Sequence, residues 1–268
     1  MTVHDLSVFK YPDAHPVERV RQFERLFFQS LERAAHIVTD SETVRRELAA
    51  MFAVPAAKIT AVPLGVSERF QPIETAATAA DLQRWGLRPD GFGLCVSAVE
   101  PRKKVAELVR AWRCLPTSTR NRFPLVIAGG SGWNNEAIRK ELAQAVEEGW
   151  LKHLGHVSEA ELAQLYAAAR LFIYPSIYEG FGLPPIEAMA SGTPVIVSNR
   201  SCLPEVCGDA ARYIDPDDQD EFASAIEGGL LDEAWRLETM RKGLAHAGRL
   251  TWARCAAETV AVYAQFAG

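Results

Sequence analysis

Two glutamates flank a glycine-bearing turn in the second half of this 268-residue chain. Glu179 and Glu187 are separated by seven residues, within the run SIYEGFGLPPIEAMASGTPVI that spans residues 176–196. The turn after the first glutamate consists of Gly180, Phe181, Gly182 and Leu183. Glycines let a ligand approach the backbone, and carboxylates accept hydrogen bonds from hydroxyl groups. The run therefore predicts a pocket for a ligand that carries several hydroxyls.

The same run predicts a phosphate site. Pro184-Pro185 follow the turn, residues 186–190 are predicted to form a short helix with Glu187 in its first turn, and Gly192 lies just past its end. The first amides of a helix lack intrahelical partners and attract anions. Carboxylates are poor neighbours for phosphate, so we expect both glutamates to receive hydroxyls instead. A nucleotide sugar fits both features; the alternative is a structural strand–turn–helix with two solvated glutamates.

Three consecutive cations form a second candidate group. The run Glu100-Pro101-Arg102-Lys103-Lys104 follows a predicted strand and opens a predicted helix. Cations at the carboxyl end of a strand, beside a helix N-terminus, can neutralise a diphosphate. The alternative is a solvated, basic first helical turn. Beside the glutamate-flanked turn, we favour the diphosphate contact.

Composition restricts the class of protein. The formal net charge of −5 argues against a nucleic-acid-binding protein. The five cysteines are scattered without a CxxC pair, as in reduced cytosolic proteins. No apolar run approaches the ~20 residues of a membrane span, and the first residues do not resemble a targeting sequence. We therefore predict a cytoplasmic protein.

From about residue 91 onward, short apolar runs alternate with helical stretches. Continuous apolar runs are typical of strands in a parallel sheet that is buried on both faces. We predict strands over 92–97, 124–129, 153–156, 171–174, 194–198 and 212–214, and helices over 105–115, 136–148 and 158–169. This alternation predicts a doubly wound α/β domain, in which ligands bind at the carboxyl ends of the strands.

The region before residue 73 contains fewer elements. We predict strands from Val3, over 37–39 and over 58–63, with helices over 16–36 and 41–52. That is about half of a Rossmann-like domain. We therefore divide the chain into a partial N-terminal domain (1–72), a complete C-terminal Rossmann-like domain (73–250) and a C-terminal helix (251–268) that crosses back to the N-terminal domain, with 71–90 as the linker.

The long N-terminal helix has an apolar stripe. Val20, Phe23, Phe27, Leu31 and Ala34 fall on one side of it, and four arginines border them. Core-facing helices show such a stripe, so we expect a buried domain face. The alternative is an interfacial helix that makes peripheral contact with a membrane.

The run over 176–196 resembles the signature of the retaining glycosyltransferases of family four, the glycosyl transferases group one. That family has the GT-B fold of two facing Rossmann-like domains. The resemblance implies that Glu179 lies beside the transferred sugar and that Glu187 holds the nucleotide ribose. It implies that Arg102 and Lys103 grip the donor diphosphate. It also implies that the donor is bordered by Gly180, Phe181, Gly182 and Leu183.

Two further residues take roles only through this resemblance. His4, at the end of the first predicted strand, matches a histidine that faces the donor sugar; the alternative is a structural histidine at a strand end. Val157 lies where family members contact the base through backbone atoms. We expect no metal, because this fold uses cations and helix dipoles instead. The acidic run Asp215-Pro216-Asp217-Asp218 accordingly predicts a solvated turn.

The chain departs from the family pattern at several points. Lys104 stands where Asn or Gly is frequent, and Ser97 where Gly is usual. Similar proteins begin with roughly a hundred further residues, the size of a half-domain or more. Those residues carry the first strands of the N-terminal sheet and most of the acceptor pocket. We therefore expect an incomplete N-terminal domain, with an uncovered apolar face that favours self-association.

The resemblance implies transfer of a hexose, with mannose favoured, from GDP-mannose or a UDP-hexose to a glycan or lipid-linked acceptor, with retention at the anomeric carbon. It implies no separate cofactor, and a cytoplasmic location that includes peripheral contact with the inner face of the membrane. Three alternatives stay open: a sugar-nucleotide epimerase of the same fold, a glycoside hydrolase with Glu179 and Glu187 as its carboxylate pair, and a truncated, non-catalytic nucleotide-binding remnant.

Overall fold

Two parallel sheets form the framework of the chain. The computed structural model describes residues 1–74, 78, 82–130, 132 and 136–266. Within these ranges, a three-stranded sheet has the order β1-β2-β3, formed by Thr2–Val3, Ile37–Thr39 and Ile59–Ala61. A six-stranded sheet has the order β6-β5-β4-β7-β8-β9, with β4 Gly93–Val96, β5 Leu125–Ala128, β6 Leu151–Gly155, β7 Leu171–Tyr174, β8 Val195–Ser198 and β9 Arg212–Ile214. The predicted α/β class is confirmed.

Helices connect the strands and continue past the last of them. In the described residues they are α1 Ser7–Lys10, α2 Val17–Arg33, α3 Glu42–Phe52, α4 Val105–Cys114, α5 Thr117–Arg122, α6 Glu136–Glu147, α7 Glu159–Ala168, α8 Leu183–Ala190, α9 Leu203–Cys207, α10 Gln219–Leu231, α11 Glu233–Ala247 and α12 Trp252–Ala264. The helix predicted over 158–169 is present as α7 and begins with a capping box, in which the side chains of Ser158 and Glu161 each accept a hydrogen bond from the other's backbone amide. Local sequence signals therefore place this helix correctly.

The order of the six-stranded sheet reverses beside β4. The chain runs outward from β4 through β5 to β6, then returns to pair β7 with the other side of β4 and continues outward to β9. Such a reversal opens a crevice at the carboxyl ends of the two central strands. The loops that follow β4 and β7 line this crevice.

The central strands of the six-stranded sheet are almost entirely apolar because both faces are covered. Phe172 and Tyr174 of β7 pack into one core cluster, and Leu171 and Ile173 pack into the cluster on the opposite face. All four residues of β5, β7 and β8 are buried. Continuous apolar runs in a parallel sheet predict this arrangement. The strands that border the crevice are thus held by a packed core on each face of the sheet.

The three-stranded sheet has a thinner cover. Its core includes Val3, Ile37 and Leu48, together with Tyr178 from the loop after β7. This tyrosine donates to Glu47 at 2.8 Å and accepts from the Leu6 amide at 3.1 Å. One loop of the larger sheet is therefore built into the core of the smaller one.

The predicted burial of the stripe on α2 is confirmed only in part. Within the stripe, Phe27 is buried and Leu31 and Ala34 pack against the same core, but Phe23 is 37% exposed. Beside the stripe, Leu26 and Phe28 are 48% and 46% exposed. Within the described residues, β1 forms the outer edge of its sheet, and no further strand lies beside it to cover these side chains. An apolar stripe reports the face of a helix that packs, but not how much surface is available to cover it.

The helix α12 returns to the smaller sheet. Val262 packs against Val38 and Val62. The start of α12 lies against the backbone of Gly65. A Cβ at Gly65 would lie 2.1 Å from the Trp252 nitrogen, so only glycine fits. The domain boundaries at 72 and 250 stay a prediction. Part of the predicted linker, at 75–77 and 79–81, lies outside the described residues.

Candidate active site

The two predicted groups of charged residues lie on neighbouring loops. Arg102 and Lys103 follow β4, Glu179 follows β7, and these two strands are adjacent. A hydrogen bond of 3.0 Å from the Ile177 amide to the Arg102 carbonyl joins the loops. Both loops leave carboxyl ends of strands where the strand order reverses, which is the usual place for a ligand in an open α/β sheet. The structure therefore brings the two groups together.

A buried cluster of charges forms where these loops meet. Arg102 donates to Glu100 at 2.9 Å and lies 3.6 Å from Glu179. Lys103 contacts Glu179 and donates to the Tyr174 hydroxyl at 3.0 Å; that hydroxyl donates to Glu179 at 2.9 Å. The side chains of Arg102, Lys103 and Glu179 are only 10%, 11% and 12% exposed. We call these five residues the charge cluster; its two cations are not a solvated basic turn.

The third predicted cation does not join the charge cluster. Lys104 has a left-handed backbone conformation, with φ of 54°. Its ammonium group contacts Glu107 at 3.1 Å and Asp217 at 2.7 Å. The turn in the backbone therefore separates it from its neighbours Arg102 and Lys103. Two of the three predicted cations, not all three, face the crevice.

The ions of the charge cluster stabilise one another. Burial alone would raise the pKa of Glu179, but Lys103 and Arg102 outweigh it and hold this pKa below its ordinary value. Burial alone would lower the pKa of Arg102, but Glu179 and Glu100 raise it above its ordinary value. Opposite charges at short range favour the charged form of each partner. Glu179 and Arg102 therefore stay ionised at neutral pH.

The backbone of Glu179 is also held from the neighbouring strand. Ser201 follows β8; its hydroxyl donates to the Glu179 carbonyl at 2.8 Å and accepts from the Glu179 amide at 3.2 Å. Ser201 adopts φ of 58°, a strained conformation for a residue other than glycine. Sequence reasoning missed this contact, because only the pairing of β7 with β8 brings the two loops together. It also missed Tyr174, although its position at the end of a predicted strand was a usable signal.

The helix after the turn begins earlier than predicted. It spans Leu183–Ala190, with Gly182 as its N-cap at φ of 91°, so Glu187 lies beyond the first turn. Pro184 and Pro185 occupy the second and third helical positions, where proline supplies no N–H. The predicted anion site at this N-terminus therefore has fewer donors than a helix normally offers. The left-handed Gly182 starts the helix before the prolines, not after them.

Glu187 has partners of its own. It accepts a hydrogen bond of 2.9 Å from the Tyr166 hydroxyl. Burial raises the pKa of Glu187 above its ordinary value, and the Tyr166 hydrogen bond opposes that shift. The two glutamates of the signature thus occupy opposite environments, one paired with cations and the other with a phenol. The role of Glu187 in holding a ribose stays a prediction.

The smaller sheet contributes His4 to the other side of the crevice. Its Nδ1 lies 2.8 Å from the Asp40 carboxylate, while the side chain is 73% exposed. The backbone of Gly180 touches His4 so closely that a Cβ there would lie 1.8 Å from the His4 carbonyl oxygen. Ser41, next to Asp40, donates to the Gly180 carbonyl at 2.7 Å. His4 therefore lies beside the turn that carries Glu179.

Comparison with known proteins identifies the family. Residues 84–249 match the family described as Glycosyl transferases group 1. The chain is 40% identical to the O-antigen chain mannosyltransferase B of Escherichia coli over 262 residues, which cover 98% of this chain and 69% of that protein. This chain belongs to the glycosyl transferases group 1.

The matches between this glycosyltransferase and other known proteins cover different shares of those proteins. It is 31% identical over 241 residues to the serotype-specific mannosyltransferase WbdA of Escherichia coli, covering 88% of this chain and 29% of that protein. Its structure resembles sucrose-phosphate synthase from Thermosynechococcus elongatus with a TM-score of 0.81 and 27% identity, over 99% of this chain and 67% of that one. The predicted GT-B type of fold is confirmed.

The side chains of three further predicted donor-contact residues of this glycosyltransferase pack into the protein, and their role toward a donor stays a prediction. Phe181 is 5% exposed and packs into a core cluster, against which Leu183 and Val157 also pack. Their side chains thus face the protein, which leaves main-chain atoms for a ligand.

The acidic run of this glycosyltransferase has protein partners. Asp215 accepts from Arg200 at 2.8 Å, and Asp218 caps α10 through the Glu221 amide. Among the residues that the structure describes, no three His, Cys, Asp or Glu side chains are grouped to hold a metal ion. A metal-free site stays a prediction. In the same part of the chain, no helix is both long and apolar enough to cross a bilayer.

Proposed function

We propose that this protein transfers mannose from GDP-mannose to a glycan or lipid-linked acceptor, with retention at the anomeric carbon. The charge cluster carries the proposal, because buried cations at the reversal of strand order suit a diphosphate. Mannose is favoured because the two relatives from Escherichia coli described above are named mannosyltransferases. GDP is favoured over UDP by the resemblance of the sequence alone.

The geometry of the charge cluster suggests how the donor would bind. Without a donor, Glu179 forms an ion pair with the ammonium group of Lys103 and lies close to Arg102. A diphosphate would compete for these two cations. Glu179 would then turn to the sugar hydroxyls, because a carboxylate readily accepts hydrogen bonds from them. Donor binding would thus replace one set of buried ion pairs with another, without leaving a cation unpaired.

The same cations would assist the reaction. When the bond between the sugar and the diphosphate breaks, negative charge develops on the leaving phosphate oxygen. Arg102 and Lys103, already fixed by buried partners, would stabilise that charge without reorganisation. Glu187 would hold the ribose, and His4 would complete the sugar pocket opposite Glu179. The acceptor hydroxyl would attack from the side of the crevice that the smaller sheet borders.

Calorimetry of the whole chain with UDP, GDP, UDP-glucose and GDP-mannose would test the donor site. We expect GDP and GDP-mannose to bind most tightly, equally well with EDTA or with magnesium. If EDTA abolishes binding and magnesium restores it, the metal-free diphosphate site is wrong. Preference for the uridine compounds would overturn the assignment of the base.

The products distinguish the proposal from its alternatives. Mannosyl transfer requires an acceptor and releases GDP. An epimerase would convert the sugar without an acceptor, and a hydrolase would have no need to bind a nucleoside diphosphate tightly. Membership in a glycosyltransferase family does not favour either of them. Tight GDP binding with no transfer to any membrane-derived glycolipid would favour a non-catalytic protein.

Location and partners follow as further proposals. We infer that the protein works in the cytoplasm, where nucleotide sugars are made, and touches the membrane at its periphery. The exposed Phe23, Leu26 and Phe28 of α2 support a peripheral contact, and they equally support self-association. Flotation with anionic vesicles at low and high protein concentration would separate the two.

A further inference from the structure

His4 and Asp40 are placed side by side by the register of the smaller sheet. Strands β1 and β2 run parallel, with Val3 opposite Thr39. The next residue of each strand is therefore His4 and Asp40, and both leave the carboxyl end of the sheet. The contact of 2.8 Å between Nδ1 and the carboxylate follows from this register. β2 is the central strand of the three, so Asp40 is flanked on both sides.

The two partners differ in exposure. Asp40 is 4% exposed, whereas the side chain of His4 is 73% exposed. A buried carboxylate is unfavourable unless hydrogen bonds compensate it. An ionised carboxylate only accepts, so Nδ1 must donate; in the neutral ring the other nitrogen, Nε2, then carries no proton. The neighbouring Ser41 hydroxyl, bonded to the Gly180 carbonyl, ties this strand end to the turn that carries Glu179.

We propose that Asp40 is a positioning residue that fixes the orientation and tautomer of the His4 imidazole. With Nδ1 held by the buried carboxylate, the exposed Nε2 becomes a fixed acceptor for a sugar hydroxyl. Nothing in the position of His4 alone would fix it, because an exposed imidazole otherwise turns freely. The role of His4 toward the sugar rests on the proposed function; the pairing with Asp40 does not.

The direct test is nitrogen NMR of the His4 ring in the whole chain, without donor. In the parent protein we expect the tautomer protonated at Nδ1. In Asp40→Ala the ring should shift to the mixture that a free imidazole shows, in which Nε2 carries the proton in most molecules. An unchanged tautomer in the variant would overturn the proposal, whatever the enzyme activity. If Asp40→Ala does not fold, Asp40→Asn has the same shape and should also shift the tautomer, because its amide can donate to Nδ1.

A double-variant cycle tests the functional consequence. Asp40→Ala should lower kcat at least about tenfold, the order expected when a group that orients the substrate is misplaced. Affinity for GDP, which lacks the sugar, should change less than about twofold. In a His4→Ala background, Asp40→Ala should have no further effect on kcat, because its action passes through the ring. Equal losses in both backgrounds would show a merely structural role and overturn the proposal.

Asp5→Asn is the matched control. It removes a neighbouring negative charge whose carboxylate accepts from the Ser7 amide at 2.8 Å, so we expect the parent tautomer and kcat. A tautomer shift in Asp40→Ala with unchanged kcat would overturn the positioning role while leaving donor binding as proposed. If the parent protein transfers no mannose, the proposed function fails, and the NMR result alone still decides whether Asp40 fixes His4.

Discussion

The two sides of the crevice are built differently. On the side of the six-stranded sheet, Arg102, Lys103 and Glu179 are about nine-tenths buried and hold one another through ion pairs. On the side of the three-stranded sheet, His4 is largely exposed and has a single buried partner, Asp40. The first side resembles a preorganised binding site. On the second side, one exposed side chain is held in place only through its contact with Asp40.

The difference follows from the packing beneath each side. The strands under the charge cluster are covered on both faces, and residues such as Phe172 and Ile173 are fully buried. In the smaller unit, α2 keeps Leu26 and Phe28 nearly half exposed. Rigid elements hold functional groups more accurately than thinly covered ones. We therefore expect changes on the first side to alter both the affinity for the nucleoside diphosphate and turnover, and changes on the second side to alter turnover with little effect on that affinity.

The largest expected effect separates two adjacent lysines. Lys103→Ala removes a cation from the charge cluster and should lower kcat about a hundredfold or more, as when one preorganised charge-stabilising donor is lost. Lys104→Ala is the control, because Lys104 contacts Glu107 and Asp217 instead. We expect less than about a threefold change there, because the partners of Lys104 lie outside the charge cluster. Steady-state kinetics with GDP-mannose decides; similar losses in both variants would remove the special role of Lys103.

The next effect tests the exchange of partners at Glu179. Glu179→Gln should weaken the binding of GDP-mannose several-fold to tenfold, the range for an ordinary hydrogen bond of about 0.5–1.5 kcal/mol. The same variant should bind GDP as well as the parent, or better, because Lys103 loses its competing carboxylate.

Glu100→Gln serves as the control for that measurement. Glu100 contacts Arg102 but is given no sugar contact, so its loss should change the affinities for GDP and GDP-mannose alike. Calorimetry with both ligands gives the ratio. A weaker GDP affinity in Glu179→Gln would show that Glu179 does not compete with the diphosphate.

How far the sequence predicts this site depends on which forces place each residue. The strands and their loops follow from apolar runs, so Arg102 and Glu179 could be placed at strand ends in advance. The start of α8 could not, because Gly182 in a left-handed conformation precedes the prolines. Ser201 could not either, since its contact with Glu179 bridges loops that only the finished sheet brings together. Local sequence patterns carry no information on which distant strands pair.

Glu205 makes one of the contacts that join the two sides. Glu205, in α9, accepts from the Glu42 and Thr43 amides at 2.7 and 2.8 Å and so caps α3 of the smaller unit. Glu205→Ala should destabilise that helix end by about 1 kcal/mol, the usual value of a cap. Hydrogen exchange at these two amides should become about fivefold faster.

Asp209→Ala is the control for Glu205. Asp209 is exposed and lies 3.7 Å from Lys242 within the larger unit, so its loss should leave exchange in α3 unchanged. GDP affinity should stay at the parent value in both variants, because neither residue contacts the charge cluster. If Glu205→Ala instead weakens GDP binding and leaves hydrogen exchange in α3 unchanged, the two sides of the crevice do not act as separately as we expect.

The smallest effect is expected at Ser201, where two variants isolate backbone strain from hydrogen bonding. Ser201→Ala and Ser201→Gly both remove the hydroxyl that holds the Glu179 backbone. Only glycine relieves the left-handed conformation at φ of 58°, which is unfavourable by about 1 kcal/mol for other residues. Chemical denaturation should therefore find Ser201→Gly more stable than Ser201→Ala by about that amount. Donor affinity should fall equally in both, by less than about fivefold, since the ion pairs still hold the Glu179 side chain. If affinity follows stability instead, the backbone of this loop, and not its hydroxyl contact, positions Glu179.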